Sequence, residues 1–541
     1  MTPDYSRVLK ICTFIGATGV GIYFGWRLVN YNRSLNKQSI EYRKRKSDGE
    51  LKCLNCNCSN DLESILYNEE KKDRNDSGIV VKSKNMNEET KEAHIPGLAK
   101  IMIKNFGCNH NRSDSESMAG LLSEYGYTIV EDLELCDLIV INSCTVKGPS
   151  QDSCMNSIES AKSKEKHIIV TGCVPQADIN LEFLKDVSIL GVKYIHRIVE
   201  VVELTLQGNV VSLIPEKESK SLGYVIDPLE IALPPLMLPK VRKNPYIEII
   251  TVSVGCLGNC TYCKTKQSRG ELGSYQIETI LERVKKSLGE GIKQFWLTSE
   301  DIGAYGKDIG TNLSVLLREI LKILPQDTML RIGMTNPPYI LDQVDEIVEI
   351  LKHPNVFEFL HIPVQSGSNK ILNAMRRDYS VEDFCLLVDS ILRDIPLATI
   401  ATDIICGFPG ESENDHLETV NLIKKYRFPV INISKFYPRP GTPAAKMKPV
   451  QNGVSKSRSL EVTTIFQSFN HNEYIFESLP QDKIVRVWFI ENSEKSDHTI
   501  GHTKHYNKVL VARNDDLLGR SARVRITSAQ KWHLEGIVIG N

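Results

Sequence analysis

At 541 residues the chain is too long for one hydrophobic core, and three or four structural units are the expected scale. Its 66 basic and 67 acidic residues nearly cancel, so bulk charge excludes a general polyanion binder, and any RNA contact has to come from a local patch. Fourteen cysteines spread through an otherwise ordinary composition argue against a secreted disulfide framework and for a reducing compartment.

Residues 11–26 form an uncharged apolar run of sixteen residues between Lys10 and Arg27. A spanning helix takes ~20 apolar residues, so this run is marginal; it extends through Leu28 and Val29 and needs its flanking cations to snorkel. It predicts a single N-terminal membrane anchor over 1–29. Basic residues after the run (Arg27, Arg33, Lys37, Arg43, Lys44, Arg45, Lys46) outnumber Arg7 and Lys10 before it, which places the catalytic units in the cytosol. The expected membrane is the endoplasmic reticulum, with the mitochondrial outer membrane as alternative. A cleaved secretory signal is the rival reading, and it would carry the thiols described below into an oxidising lumen. Residues 30–95 are polar, charge-rich and aperiodic, as expected of a disordered linker, and Cys53, Cys56 and Cys58 within it read as incidental thiols rather than a metal site.

From 96 to 209 short apolar runs alternate with helical patterns, which predicts a parallel α/β domain. Three runs end in a loop carrying a cysteine: Cys108 in Asn-Phe-Gly-Cys-Asn, Cys144 in Asn-Ser-Cys-Thr-Val and Cys173 in Thr-Gly-Cys-Val-Pro. The C-terminal ends of parallel strands share one edge, where ligands bind, so three cysteines far apart in sequence are expected to converge there. A lone cysteine at a strand end is more often a small core residue, but three in equivalent positions favour a three-thiolate cluster site. Cys136 and Cys154 lack that placement and read as structural.

A Pro-rich passage over 228–239 marks a boundary, and 240–475 holds six strand-then-helix units with strands near 247–253, 294–298, 329–333, 356–361, 399–406 and 430–436. The stripe Ile277, Ile280, Leu281, Val284, Leu288 is that of a helix packed on a sheet. Six units are fewer than a closed eight-fold barrel, so a (βα)6 partial barrel with its chemistry at the strand C-termini is expected. Behind the first strand stands Cys256-Leu-Gly-Asn-Cys260-Thr-Tyr-Cys263. Three thiolates on a four-iron cluster leave one iron free for another ligand. A structural zinc site would want a fourth Cys or His, and 246–275 contains none. The spacing resembles the signature of radical S-adenosylmethionine (SAM) enzymes, in which the free iron chelates the methionine end of SAM.

Candidate SAM contacts lie in the loops after the strands. Ser299 and Glu300, in Ser-Glu-Asp, are candidates for the ammonium group, with helix capping as the duller role. Gln365 and Ser366 offer donors and acceptors for ribose or carboxylate. Asp403 on the fifth strand and Gly407 beyond it complete the set, the glycine allowing close backbone approach to adenine or methionine, although a simple turn also explains it. Arg376, Arg377 and Arg439 could pair with carboxylate or phosphate. From 480 to 541 short alternating strands near 484–489, 508–512, 522–526 and 537–539 predict a small β-barrel. Its scattered basic residues and its aromatics Trp488, Tyr506 and Trp532 could follow an RNA backbone and stack bases, or could belong to an ordinary solvated module.

With both cysteine triads placed, the chain from about residue 99 onward resembles the methylthiotransferase family of the radical SAM superfamily, and within it the eukaryotic and archaeal type acting on threonylcarbamoyladenosine in tRNA. The segments that carry the resemblance are Asn-Phe-Gly-Cys108-Asn-His-Asn, Ile-Asn-Ser-Cys144-Thr-Val-Lys, Thr-Gly-Cys173-Val-Pro-Gln-Ala, Gly-Cys256-Leu-Gly-Asn-Cys260-Thr-Tyr-Cys263-Lys-Thr-Lys, Trp296-Leu-Thr-Ser-Glu-Asp, Gly333-Met-Thr-Asn-Pro-Pro and Tyr437-Pro-Arg-Pro-Gly-Thr-Pro. The fold expected is therefore α/β: an N-terminal parallel cluster domain, a radical SAM partial barrel and a C-terminal TRAM β-barrel, preceded by the membrane anchor, which lies outside the family core.

The resemblance implies two [4Fe-4S] clusters and SAM. Cys256, Cys260 and Cys263 would hold the cluster that cleaves SAM to a 5'-deoxyadenosyl radical, which abstracts hydrogen from C2 of the modified adenosine next to the anticodon. Cys108, Cys144 and Cys173 would hold the cluster that presents sulfur, and a second SAM would supply the methyl group. The implied partners are the tRNA anticodon loop, an electron donor and a sulfur source of unknown identity, and the expected oligomeric state is a monomer. The alternatives are methylthiolation of isopentenyladenosine in tRNA, methylthiolation of an aspartate in a ribosomal protein, and a catalytically inactive iron-sulfur RNA-binding protein.

Overall fold

The computed structural model describes residues 80–82, 99–145, 148–214 and 233–540. In the N-terminal unit seven strands make one sheet: β1 (Val80–Lys82), β2 (Lys100–Asn105), β3 (Thr128–Val130), β4 (Leu138–Ser143), β5 (His167–Gly172), β6 (Ser188–Leu190) and β7 (Val210–Leu213), in the order β1-β7-β6-β5-β4-β2-β3. All neighbours pair in parallel except β1, which adds an antiparallel edge to β7. Val80–Lys82 thus forms a strand inside the stretch expected to be a structureless linker. The crossovers are helices α1 (Asn109–Tyr125), α2 (Gly148–Ser163), α3 (Cys173–Ala177) and α4 (Ile198–Leu206). β4 is buried along its whole length, as a central parallel strand covered on both faces must be. Its alternate residues feed two cores: Leu138 and Val140 pack with Met118, Leu122 and Val201, whereas Ile139 and Ile141 pack with Cys154, Ile158 and Cys136. Cys136 and Cys154 are therefore core residues.

In the second unit the strands are β8 (Ile247–Thr251), the short antiparallel pair β9 (Ser253–Val254) and β10 (Gly273–Ser274), then β11 (Gln294–Thr298), β12 (Met329–Arg331), β13 (Phe359–His361), β14 (Thr399–Cys406) and β15 (Val430–Lys435). β8, β11 and β12 form one parallel sheet and β13, β14 and β15 another. Single parallel bridges, Leu330 with Val356 and Met334 with His361, join the two. Six parallel strands thus run in sequence order around an open barrel. Outside it lie α6 (Ile277–Gly289), α7 (Leu313–Leu321), α8 (Val344–Lys352), α10 (Val381–Asp394) and α11 (Glu413–Tyr426), with α5 (Thr265–Arg269) and α9 (Asn369–Ala374) in the loops and α12 (Asn452–Ser468) against β15. The apolar stripe of α6 does what its period predicts: Ile280 and Val284 are fully buried, and Ile277, Leu281 and Leu288 pack at the margin of the same core. Ser380 and Ser412 start α10 and α11 with reciprocal capping boxes to Asp383 and Asp415.

A helix, α13 (His471–Ser478), leads into a closed barrel of β16 (Ile484–Asn492), β17 (His498–Thr503), β18 (Lys508–Ala512), β19 (Ser521–Ala529) and β20 (Leu534–Gly540), in the order β16-β17-β18-β20-β19. Sequence reading misses β17, whose His-Thr-Ile-Gly-His-Thr carries one large apolar side chain. This small barrel seats against residues that precede strands of the large one. Lys504 Nζ donates to the carbonyls of Leu351 and His353 at 2.8 Å and to that of Val356. The Glu358 amide donates to Lys504 O at 2.8 Å, and Thr399 Oγ1 to His505 O at 2.6 Å. Met329, Phe357, Phe359, Ala401 and Trp488, with Tyr506, form a shared apolar floor. The N-terminal end of the partial barrel is plugged, which leaves the C-terminal end for chemistry.

One expectation is corrected. No helix among the described residues is long and apolar enough to cross a membrane. The anchor predicted over 1–29 lies outside the described residues, and its sixteen uncharged residues fall short of the ~20 that a span takes. The membrane partner and the endoplasmic reticulum or mitochondrial outer membrane location that depended on it are withdrawn with it. Cys53, Cys56 and Cys58 also lie outside the described residues.

Candidate functional site

The loop behind β9 is shaped by its glycines. Gly255 sits at φ +86°, and a Cβ there would stand 2.0 Å from Glu271 O, so only glycine lets Cys256 N donate to Gly270 O at 3.2 Å. Thr261 N donates to Met375 O at 3.0 Å and Cys263 N to Cys260 O at 3.1 Å, closing the loop on α9. A Cβ on Gly258 would lie 3.5 Å from Cys256 Sγ and 3.7 Å from Cys260 Sγ, so both sulfurs wrap one residue. The Tyr262 ring packs edge-on against Phe408 with centroids 6.3 Å apart and anchors the loop in an apolar cluster with Ile371 and Met375.

Burial pushes the Cys256 thiol up to about 12, with Asp301 and the other two thiols adding to the effect. Cys260 is raised by burial too, but the Arg377 guanidinium opposes this, its Nη1 donating to Cys260 Sγ at 3.2 Å. Arg377 continues to Asn336 Oδ1, and Asn336 Nδ2 donates to Asp301 Oδ2 at 2.6 Å. Asp301, 1% exposed, is pushed up to about 6 by burial, against the hydrogen bonds from Asn336 and Gly303.

The second triad stands at the C-terminal ends of three adjacent strands. Cys108 caps α1 after β2, Cys144 follows β4, and Cys173 opens α3 after β5. Asn111, fully buried, is the residue between them: its Oδ1 lies 3.7 Å from Cys108 Sγ and 3.9 Å from Cys173 Sγ. Its Nδ2 donates to Asn142 Oδ1 at 3.0 Å and Ser143 O at 2.8 Å, which pins it to β4. Burial among protein atoms pushes Cys108 up to about 11, although the residue keeps a solvent-facing side, and Cys173 up to about 12; the neighbouring thiols add to both shifts and Arg269 opposes them.

The two triads share a wall. α5, two residues beyond Cys263, packs on α3, and Ser268 Oγ donates to Cys173 O at 3.1 Å. Arg269, at the end of α5, donates through Nη2 to Asn111 Oδ1 at 2.9 Å and to Asp114 Oδ2 at 2.8 Å, and its Nη1 lies 3.2 Å from His110 Nε2. Glu300 joins from the loop after β11: Oε1 is 2.8 Å from His110 Nδ1 and 3.6 Å from Arg269 Nε, and Oε2 accepts from Gly255 N at 3.0 Å. No three His, Cys, Asp or Glu side chains among the described residues converge as closely as one metal ion requires. Cluster thiolates bind separate iron atoms and stand farther apart than the ligands of a single ion.

The other sequence-predicted residues fall into different places. Ser299 Oγ accepts from Asp301 N at 3.1 Å and shapes its turn. Glu300 is committed to the wall between the triads rather than to the barrel lumen. Gln365 adopts φ +69° and hydrogen-bonds to β14 through its backbone. Ser366, 1% exposed, accepts from Ser368 N at 3.2 Å and lies 3.3 Å from Thr419 Oγ1, knitting its loop to α11. Asp403 Oδ1 meets His361 Nε2 at 2.9 Å and Asn432 Nδ2 at 2.8 Å, a partly exposed polar group spanning three strands. Gly407 is needed for packing: at φ +74° its Cβ would stand 2.1 Å from Ser455 Oγ of α12. Among these arginines Arg377 reaches the Cys260 thiol, and Arg439 Nη1 donates to Tyr262 O at 3.4 Å. Sequence reading gave no role to Asn111, Arg269 or Asn336. Their only signal was position, three residues after Cys108, six after Cys263, and within the Gly-Met-Thr-Asn motif.

Comparison with known proteins adds two family matches: residues 100–189 match the "Uncharacterized protein family UPF0004" and residues 250–423 the radical SAM superfamily. The chain is 47% identical over 447 residues to the threonylcarbamoyladenosine tRNA methylthiotransferase of Xenopus laevis, covering 82% of this chain and 78% of that protein. Identity to the human protein of the same name is 47% over 447 residues, covering 82% of this chain and 75% of the relative. A probable threonylcarbamoyladenosine tRNA methylthiotransferase of Pyrococcus horikoshii is 38% identical over 445 residues, 82% of this chain and 100% of its own length.

Proposed function

The chain belongs to the threonylcarbamoyladenosine tRNA methylthiotransferases, and on that footing we propose that its two cysteine triads hold two separate [4Fe-4S] clusters facing one reaction chamber. It is a SAM-dependent iron-sulfur enzyme that converts N6-threonylcarbamoyladenosine next to the anticodon of tRNA to the 2-methylthio derivative. The observation that carries the two-cluster reading is the six thiols in two sets of three, at the strand C-termini of two abutting α/β units. When bound, the clusters and SAM supply radical cleavage, sulfur and the methyl group, chemistry that an aromatic C–H with no acid–base handle demands.

The residues fit that load. Each triad offers soft thiolates, and each is met by one buried guanidinium, Arg377 on Cys260 and Arg269 beside Cys173, that offsets the negative charge of a cluster. Burial raises the thiols of Cys108, Cys173 and Cys256 above their ordinary range, so they stay protonated until a cluster binds and loading releases protons. Arg377, Asn336 and Asp301 hold the radical-SAM loop in register with the strand ends. Asp403, with His361 and Asn432, is the partly exposed polar group that would meet SAM or the flipped nucleoside, with the Gln365 backbone beside it, whereas Ser299, Glu300, Ser366 and Gly407 support the loops around it. The plugged floor leaves the C-terminal mouth as the way in, and a single-stranded anticodon loop can splay a base into it. Basic residues of the C-terminal barrel, with the exposed Trp532, supply the local RNA patch that bulk charge lacks, whereas Trp488 and Tyr506 are taken up by the apolar floor.

Three measurements test this. Anaerobically reconstituted protein is expected to hold about eight iron and eight sulfide per chain, two four-iron clusters, and about four would remove the second cluster. Nucleoside mass spectrometry of tRNA from a deletion strain is expected to show loss of the methylthio derivative of threonylcarbamoyladenosine. Loss of the isopentenyladenosine derivative instead would overturn the substrate assignment. A folded Cys260→Ala protein is expected to form no 5'-deoxyadenosine, and undiminished formation would refute the role given to that loop.

A further inference from the structure

The side chain at the wall between the triads is more than a domain fastener. Arg269 is 3% exposed, and burying a guanidinium is costly unless its partners are built around it. They are, and those it hydrogen-bonds belong to the other unit: Asn111 at 2.9 Å and Asp114 at 2.8 Å, with His110 at 3.2 Å. The first of these also touches the sulfurs of Cys108 and Cys173. Domain docking has a separate set of contacts. Ser113 Oγ of α1 donates to Ile249 O at 3.1 Å and accepts from Lys240 Nζ at 2.9 Å, while Glu116 of the same helix accepts from Val241 N at 3.0 Å through its carbonyl and from Lys243 N at 3.2 Å through its carboxylate. That second lock does not involve Arg269, so the guanidinium is spare for a role at the sulfurs.

We propose that Arg269, carried on the radical-SAM loop, is a positioning residue for the Cys108–Cys144–Cys173 cluster, setting its potential and its placement opposite the first cluster. The inference rests on the two-cluster reading above. A cation delivered by the neighbouring unit favours the more negative, reduced form of the cluster beside it, and its bond to Asn111 fixes the helix turn that bears Cys108. Through Glu300, whose other oxygen accepts from Gly255 N next to Cys256, the same group ties the two loops to one geometry. Loading of the second cluster and docking of the two units are thereby linked.

The test uses the full chain in which Cys256, Cys260 and Cys263 are replaced by alanine, so that only the second cluster remains, compared with the same chain carrying Arg269→Gln or Arg269→Lys. The expected result is about four iron per chain in the parent, a midpoint potential shifted downward by Arg269→Gln, and recovery of most of that shift by Arg269→Lys. With all six cysteines present, Arg269→Gln is expected to lower the methylthiolated tRNA formed per 5'-deoxyadenosine released by about tenfold, the scale of lost outer-shell support. No iron in the triple-alanine parent overturns the two-cluster reading and this inference together. Iron present with potential and product ratio unmoved by Arg269→Gln overturns the inference alone, as does a potential that Arg269→Lys fails to restore.

Discussion

Replacing Gly172 by alanine isolates what the turn before Cys173 requires. Gly172 sits at φ +89°, ψ −158°, a region close to glycine-only, where a side chain costs about 1–3 kcal/mol. A Cβ there would also stand 2.3 Å from Ser143 O and 2.4 Å from Asn142 Oδ1. Neither neighbour can yield, because Asn142 is held by Asn111 and Ser115 and Ser143 is paired across β4 and β5. Overpacking of that kind adds about 1–3 kcal/mol, for a total of about 2–6 kcal/mol. Gly270 is the matched control: φ +84°, ψ −162°, with nothing within 4 Å of its Cβ position, so Gly270→Ala carries the backbone cost alone. Urea unfolding of the metal-free chain, followed by circular dichroism, is expected to place Gly172→Ala about 1–3 kcal/mol below Gly270→Ala. Because relief of the clash moves Cys173 away from Cys144, reconstituted Gly172→Ala should also hold only about half the normal iron. Equal stability of the two variants, or full iron in Gly172→Ala, would refute the argument that this glycine sets the spacing of the triad.

Glu248→Gln leaves Lys240, Arg242 and Arg283 without their shared buried anion, whose carboxyl those three cations hold below its usual range against the opposing effect of burial. A loss of about 3–5 kcal/mol in unfolding free energy is expected, and a loss under 1 kcal/mol would show that this shared anion is not what ties α6 and the segment before β8 to the strand. Lys504→Met removes the ammonium that satisfies the carbonyls of Leu351, His353 and Val356. Limited proteolysis is expected to release the C-terminal barrel from this variant earlier than from the parent. Burial, with Arg331 and Lys508 nearby, pushes His502 down to about 3. The unfolded chain therefore binds a proton at this site from about pH 6.5 downward while the folded chain does not, and stability falls with pH across that window. Between pH 7.5 and 5.5 the loss attributable to His502 is expected to be about 1.4 kcal/mol, read as the part of the urea-midpoint change that His502→Gln abolishes.

The parts of the fold that sequence makes legible are those with a period or a repeated position. The stripe on α6, the six strand-then-helix units and the three cysteines at three strand ends each state one rule several times over, and the structure repeats them. What stays hidden is set by contacts between units. Nothing around Arg269 says that a basic residue beside the cluster loop is buried against α1. Ser-Glu-Asp after β11 looked like a ligand-binding trio, but Glu300 turns to His110 because the N-terminal unit sits on that side of the barrel. Gly407 looked like room for a cofactor, and the room is taken by Ser455 of α12, more than forty residues later. β17 has too few apolar residues to announce itself and exists because β16 and β18 flank it.

A six-stranded barrel leaves two free edges and two open ends, and the way these are closed decides how a nucleotide can enter. α1 covers β8, with Ser113 donating to the carbonyl of Ile249, and α12 packs on β15. The small barrel plugs the end where the strands begin, its Tyr506 ring 5.0 Å from Phe359 and the Arg331 guanidinium 5.0 Å from Tyr506. One end remains, where the strands finish; its loops carry Cys256, Cys260 and Cys263, and the strand ends of the N-terminal sheet bring Cys108, Cys144 and Cys173 to the same wall. Exposed strand edges would invite pairing with other chains, and an open floor would admit water to radical chemistry. The β15 edge is closed from within the middle unit, but the β8 edge and the floor are closed by the first and third units, so the flanking units enclose the middle one as well as contributing any ligand they bind.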